Sequence, residues 1–310
     1  MTTTSNFRQR IFQHLDGLVT APVVYAIHQK GILNYLLENK QVSLSKLASE
    51  FKANEGYLNI ALRVLASQGL LAYKLDNVNN SVEVATNSKS ALFFSLAPVY
   101  EEVIDILNEK DWFTSVQIQN ESYKDLNRLF EWYKNKCHIQ LSENEEERAI
   151  QEQFLAHIEG YLVGPIIVSL GMTGMFHKYF METSFSPEEF HKHPEVFKII
   201  LDFFTHLGWF THKKDNYQFT ELGLSFAKRA SAYGVTVSYL PMFKNIDKLL
   251  FGNPKALRET AIGEDEIHVN REMNVWGSGG AHTTYFKVID EIIIELFNKP
   301  INEQPKGILD

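Results

Sequence analysis

The stretch that decides the fold runs from SLSKLASEF at residues 43–51 to LRVLASQGLLAY at residues 62–73. Leucines recur three and four residues apart in both halves, which predicts two short amphipathic helices over 43–51 and 54–68. Ser43 is a good N-terminal capping residue, and Gly69 suits the position that ends a helix. Two short helices in tandem, sharing one row of leucines, indicate a small helical core.

A hairpin is predicted directly after this stretch. Residues 70–75 and 82–85 alternate like two short strands around an Asn-rich turn at 76–80. Residues 7–37 read as helices interrupted at Gly31. The order of three helices followed by a hairpin resembles the winged-helix family, which implies that the hairpin covers the open side of the helical core.

The same plan recurs later in the chain. The parallel stretches are LVTAPVV (18–24) and LVGPIIV (162–168), GILNYL (31–36) and GMFHKYF (174–180), and SLSKL (43–47) and SPEEF (186–190). An apolar helix ended by Gly208 and a hairpin over 209–220 complete the second copy. The predicted fold class is therefore mainly α, with tandem winged-helix-like units, small β-hairpins and connecting helices, ending at the first strand of a missing Rossmann-like core.

Four segments follow from this organisation. Residues 1–91 form the first winged-helix-like unit, 92–153 an aromatic-rich helical connector, and 154–240 the second unit. Residues 241–310 are expected to hold a helix over 241–250, a polar loop over 252–275, a glycine-rich segment, an amphipathic helix over 284–297 and a final strand.

Composition narrows the function classes. The chain of 310 residues has 30 basic and 38 acidic side chains, a formal net charge of −8, which disfavours binding to nucleic acid phosphates. Its single cysteine, Cys137, provides neither an internal disulfide nor a metal framework, so no metal is expected. The longest apolar stretch, 162–172, is too short to span a bilayer, and no signal peptide is recognisable. We therefore expect a cytoplasmic protein without a membrane or nucleic-acid partner.

The last residues carry a clue to function. The sequence PKGILD at 305–310, after a long helix and a short polar linker, resembles the opening of the first strand of a class I methyltransferase core. In that family the strand ends in an acidic residue, here Asp310, followed by a glycine-rich cofactor loop. That loop is not part of these 310 residues.

The whole arrangement is similar to the lid regions of methyltransferases embedded in bacterial polyketide synthases, including loading-module methyltransferases. It is less closely similar to the dimerising winged-helix domain of small-molecule O-methyltransferases. The resemblance implies S-adenosylmethionine as cofactor, Asp310 as a cofactor-binding residue, and a carrier-bound acyl or other small-molecule substrate. A downstream methyltransferase core, an acyl carrier protein and a second copy of the chain are the implied partners. Without the core, this portion is expected to be part of a transferase but inactive alone.

The candidate contact segment lies before the last helix, because three glycines among four residues allow close backbone approach to a ligand. His282 could position or deprotonate a substrate group, and Tyr285 could pack against it. The candidate lid residues are Gly277, Ser278, Gly279, Gly280, His282, Thr283 and Tyr285. The alternative interpretation is a flexible interdomain linker, with a helix cap at Thr283 or Thr284.

Two other functions remain open at this point. A non-catalytic docking or scaffold module of a synthase would have the same front half. A winged-helix transcription regulator would read DNA with the helices over 54–68 and 194–206. Arg63 is the only basic residue of the first of these helices, and the second pairs Lys198 with acidic neighbours, a poor set for reading bases.

Overall fold

A computed structural model describes residues 3–109, 123–261 and 263–307. The structure is helical with two small antiparallel sheets. The helices are α1 (Thr3–Gln29), α2 (Ile32–Asn39), α3 (Leu44–Phe51), α4 (Glu55–Ser67), α5 (Ser90–Leu96), α6 (Val99–Glu109), α7 (Tyr123–Lys134), α8 (Glu145–Met172), α9 (Lys178–Glu182), α10 (Pro187–Phe190), α11 (Pro194–His206), α12 (Glu221–Ala227), α13 (Ser231–Ser238), α14 (Leu240–Phe243), α15 (Ile246–Phe251) and α16 (Arg271–Phe297). The strands are β1 (Gln41–Ser43), β2 (Leu71–Asp76), β3 (Ser81–Thr86), β4 (Phe210–Lys213) and β5 (Asn216–Phe219).

The first unit, α2 to β3, confirms the winged-helix arrangement. The Ser43 hydroxyl accepts a hydrogen bond from the Lys46 amide at 3.3 Å and starts α3, as its position in the sequence predicts. β2 and β3 form the predicted hairpin, and β1, which the sequence pattern did not reveal, adds a third strand in the order β1-β3-β2. A strand of three residues is too short to show alternation in the sequence.

The second unit, α9 to β5, repeats this order. β4 and β5 pair antiparallel, and Phe185 forms an isolated bridge to Tyr217 of β5. This bridge stands where β1 stands in the first unit, between a helix and the short helix α10. The Glu189 carboxylate accepts from the Ser186 amide at 2.8 Å and fixes the start of α10. The mainly α fold class with tandem winged-helix-like units is confirmed.

Two long helices join the units. α1 and α8 pack against each other, and one buried apolar cluster runs through both units around them. Each helix contains an internal proline, Pro22 and Pro165. α8 is long and apolar enough to cross a membrane by length and composition, but 94% of its most apolar window is buried inside the protein. It is the central helix of the core.

The C-terminal region differs from the sequence-based prediction. The helix expected over 241–250 is two short helices, α14 and α15. Between them, the Asn245 side-chain amide donates to the Pro241 carbonyl at 2.9 Å, and the Asn245 backbone amide donates to the Met242 carbonyl. The loop expected over 252–275 ends early, since α16 begins at Arg271. The predicted final strand at 308–310, with Asp310, lies outside the described residues, as do residues 110–122 of the connector.

Candidate functional site

The predicted contact segment is helical. The prediction of a glycine-rich loop before a helix at Thr284 was wrong, because the Asn270 side chain accepts from the Met273 amide at 3.0 Å and starts α16 there. The helix then continues through all of the candidate residues, so their amides and carbonyls lie along a helical backbone. It contains Gly277, Ser278, Gly279, Gly280, His282, Thr283 and Tyr285.

The glycines of this segment have a packing role that the sequence did not indicate. A Cβ on Gly277 would lie 2.6 Å from the Val235 amide nitrogen, and a Cβ on Gly234 would lie 2.6 Å from the Gly277 Cα. Any larger side chain would push α16 away from α13. By contrast, a Cβ on Gly279 would meet nothing within 4 Å. Gly277 therefore serves the close approach of two helices, which offsets the cost of glycine inside a helix.

His282 and Tyr285 lie on the surface of the protein, and Ser278 is half-buried. His282 is exposed, with its ring centroid 6.4 Å from that of Tyr285. Tyr285 is 65% exposed. The Ser278 hydroxyl donates to the Val275 carbonyl at 3.4 Å within the same helix. The structure thus places these residues on one helix, and their proposed role in substrate contact stays a prediction.

A different set of residues converges where α1 crosses α8. A Cβ on Gly17 would overlap backbone atoms of His157, and a Cβ on Gly160 would overlap backbone atoms of His14. The two contacts are reciprocal: each helix presents a glycine to the histidine of the other. The two backbones consequently touch, and the polar side chains beside the crossing are held in the protein interior.

Glu159 is the centre of this polar cluster. Its carboxylate accepts from Arg10 Nε at 3.1 Å and from His14 Nε2 at 2.9 Å. Arg10 Nη2 and the Tyr133 hydroxyl donate to its second oxygen. The Tyr233 hydroxyl lies 2.7 Å from His14 Nδ1. Four donors from three side chains therefore saturate a carboxylate that is almost fully buried.

The electrostatics fix the protonation states. Burial alone would raise the pKa of Glu159, but the hydrogen bond from His14 and the hydrogen bonds and charge of Arg10 outweigh it and lower the pKa to about 2. Burial lowers the pKa of His14 by more than the Glu159 carboxylate raises it. Burial also raises the pKa of Tyr233 well above its usual value. His14 is thus a neutral ring that donates from Nε2 to Glu159 and accepts from Tyr233 at Nδ1.

The opposite side of the crossing carries a different set of polar side chains. His157 Nδ1 lies 3.1 Å from the Tyr100 hydroxyl, and its Nε2 has no hydrogen-bond partner among the described residues. Burial lowers the pKa of His157 to about 3. Asp16 bonds to Gln68, and the Gln153 amide donates to the Gln68 side chain at 3.1 Å. On the His157 side of the crossing the amides of Gln68 and Gln153 form the hydrogen bonds, whereas on the His14 side Arg10 and Glu159 form an ion pair.

The internal duplication contains the signal for this cluster, although the sequence analysis did not use it. The stretch HLDGLVTAP at 14–22 matches HIEGYLVGP at 157–165, with histidine, acid, glycine and proline at equal spacing. The same offset pairs Arg10 with Gln153. The alignment of LVTAPVV (18–24) with LVGPIIV (162–168) is shifted by one residue relative to this spacing. It therefore did not pair His14 with His157 or Gly17 with Gly160.

A cavity of about 420 Å³ lies beside the ion pair. Its lining residues are Phe7, Arg10, Glu159, Leu207, Trp209, Leu222 and Phe226. Glu159 is ionised and already saturated, and His14 is neutral and fully buried, so the cluster is arranged to bind and orient rather than to exchange protons. Within the described ranges no group of three or more His, Cys, Asp or Glu side chains is placed to hold a metal ion.

Comparison with known proteins supplies the family context. Residues 7–73 match the family model of the AprA N-terminal domain, and residues 159–253 match that of the AprA winged helix domain. Residues 266–310 match a methyltransferase family model described as the AprA MT2-like domain. No curated protein matches the chain. Taken in order, the three matches make the chain similar to an AprA-type region that includes a methyltransferase-like segment.

Proposed function

We propose that this chain is the N-terminal lid and substrate-binding portion of an S-adenosylmethionine-dependent methyltransferase. The substrate is a carrier-bound acyl group or another small molecule of polyketide-type biosynthesis, and the enzyme is cytoplasmic. An acyl carrier protein and a second copy of the chain are its further partners. The order of the matches supports this proposal, because the methyltransferase-like segment follows the two winged-helix-like units.

The observation that carries the proposal is the apolar face of α16. Residues spaced three and four apart form one stripe on the second half of this helix, and they are exposed although they are large and apolar. The stripe consists of Tyr285, Val288, Ile289, Ile292 and Leu296. It lies within the segment that matches the methyltransferase-like domain. A contiguous apolar face on a surface helix indicates contact with another protein surface, here the methyltransferase core.

The described residues do not by themselves fit the cofactor. A class I core binds S-adenosylmethionine with a glycine-rich loop at the end of a strand, which supplies free backbone groups. The backbone from Gly277 to Gly280 is committed to α16 instead. The cofactor, which supplies the methyl group, is therefore assigned to the core. This portion covers the site, excludes water and shapes the substrate pocket.

The test is a calorimetric titration with S-adenosylmethionine. The 310-residue chain and the polypeptide of the full natural reading frame are titrated side by side. We expect the full polypeptide to bind and the 310-residue chain to show no heat of binding. Absence of binding by both would reject the methyltransferase proposal and leave a docking or scaffold module of a synthase as the better function.

Variants of the stripe test how the lid contacts the core. In the full polypeptide, replacing Ile289 and Ile292 together by Asp places two charges on the apolar face, and we expect faster proteolysis near α16 and loss of methyl transfer. The matched control reverses charge away from the stripe on the same helix, with Asp290→Lys and Glu291→Lys. If both pairs of changes behave alike, the stripe does not dock the core.

A further inference from the structure

The cavity beside the ion pair is large enough for a small ligand. Its volume of about 420 Å³ falls within the usual range of small-molecule sites. The wall is formed by side chains from α1, from α8, from the turn between α11 and β4, and from α12. Phe7, Trp209 and Phe226 contribute aromatic surface, and the Trp209 and Phe226 rings stack with centroids 4.1 Å apart. This surface favours an apolar group with a flat face.

The polar part of the cavity offers a donor and no free acceptor. The Glu159 carboxylate already accepts from Arg10, His14 and Tyr133. The Arg10 side chain, in contrast, is 40% exposed and lines the cavity. A guanidinium has five N–H donors, more than one carboxylate takes up. A ligand in this position would therefore have to present a hydrogen-bond acceptor to Arg10.

The charge balance selects a neutral acceptor. Arg10 and Glu159 form a pair without net charge, and the carboxylate would repel an anionic head group a few ångströms away. A second cavity of about 450 Å³ shares Phe7 and Leu222 with the first and contains Glu221 as well as Arg229. The Arg229 guanidinium lies 5.1 Å over the Phe7 ring. Each cavity is thus lined by one arginine and one glutamate.

The duplication indicates that the ion pair is not needed for the helix crossing. At the equivalent positions of the other copy, Gln153 replaces Arg10 and Asp16 replaces Glu159. That side is closed by amide hydrogen bonds to Gln68. Asp16 is exposed, whereas Glu159 is almost fully buried, and burying a charged pair costs desolvation free energy. A charged pair on the side that borders the cavity is consistent with a binding role.

We propose that this cavity binds a small apolar molecule that carries a neutral carbonyl group, an amide or an ester. The apolar part lies against Phe7, Trp209 and Phe226, and the carbonyl oxygen accepts from the Arg10 guanidinium. Leu222 also lines the cavity, and it is 41% exposed. The inference goes beyond the methyltransferase assignment and does not depend on it.

The test uses phenylacetamide as a neutral probe and phenylacetate as its anionic counterpart, with saturation-transfer NMR on the 310-residue chain. A ligand of this size is expected to bind with Kd ~1 mM. We expect phenylacetamide to bind saturably and phenylacetate to bind more weakly. Leu222→Trp fills the cavity without touching the ion pair, and we expect it to weaken phenylacetamide binding ~tenfold or more.

The control is Leu75→Trp, at a comparably exposed leucine of β2 that does not line the cavity; it should bind like the unaltered chain. Arg10→Lys keeps the charge beside Glu159 but loses the planar fork of donors, and it should also weaken binding. Absence of saturable phenylacetamide binding, equal binding by the Leu222→Trp protein, or tighter binding of phenylacetate would each overturn the proposal.

Discussion

The buried His157 ring predicts a specific sensitivity to acid. In the folded protein burial lowers the pKa of His157 to about 3, from an ordinary value of 6.5. The ring stays neutral when folded but takes up a proton once the chain unfolds and it meets water. Acid therefore favours the unfolded state, beginning as the pH falls below about 6.5 and continuing to about pH 3.

The magnitude follows from the width of this window. Each pKa unit corresponds to ~1.4 kcal/mol, so between pH ~7 and pH ~4 the His157 ring lowers the free energy of unfolding by ~3 kcal/mol. Against a total stability of ~5–15 kcal/mol this is a large share. The substitution His157→Gln removes the titrating group while keeping an acceptor for the Tyr100 hydroxyl, which lies 3.1 Å from His157 Nδ1.

Urea denaturation at several pH values between neutrality and pH ~4 measures the effect. We expect the His157→Gln protein to lose ~3 kcal/mol less than the unaltered protein over that interval. His206→Gln, at an exposed histidine, is the control and should follow the unaltered protein. His14 contributes to the acid sensitivity of both proteins. If His157→Gln leaves the pH dependence unchanged, His157 is not held neutral in the folded state and the reasoning fails.

Four further substitutions test other contacts. Gly160→Ala should lower the free energy of unfolding by ~2 kcal/mol or more, because the added Cβ meets the backbone of His14. Gly279→Ala has open space for its Cβ and should raise the free energy of unfolding by ~0.5–1 kcal/mol in thermal denaturation. Similar effects of the two substitutions would argue against the close crossing of α1 and α8. Glu159→Gln should destabilise by ~3 kcal/mol in urea, because Arg10 loses its buried counter-charge, and an unchanged midpoint would show that the pair is open to water. Ser43→Ala should lower the free energy of unfolding by ~1 kcal/mol, because it removes the α3 cap. Unchanged far-UV circular dichroism together with an unchanged melting temperature would contradict this prediction.

The predictions that succeeded rest on local rules. The cap at Ser43 and the left-handed glycines Gly69 and Gly208 after two helices are visible in the sequence because a helix end involves only a few neighbouring residues. The winged-helix order of elements follows from them. The error at Gly277 has the opposite cause, since glycines in a row suggest a loop unless a second helix is known to lie against them.

The cavity and the ion pair could not have been predicted from local pattern. Glu159 sits in an apolar helix, and nothing nearby in the sequence distinguishes it from a surface acid. Its partners come from α1 and α7, so the pair exists only once those helices pack against α8. Aligning the two copies by their histidine and glycine would have located the crossing but not the residues contributed by α7 and α13.

The sequence by itself determined the mainly α fold, the two winged-helix-like units and their duplication, because helix periodicity, caps and turns act over a few residues. The tertiary structure decided which duplicated positions became different. Arg10 and Glu159 border a cavity, whereas Gln153 and Asp16 close against Gln68. It also decided that Gly277 belongs to a packed helix. The physical reason is that burial, charge pairing and backbone contact depend on residues far apart in the chain, and only the packed fold brings them within reach of one another.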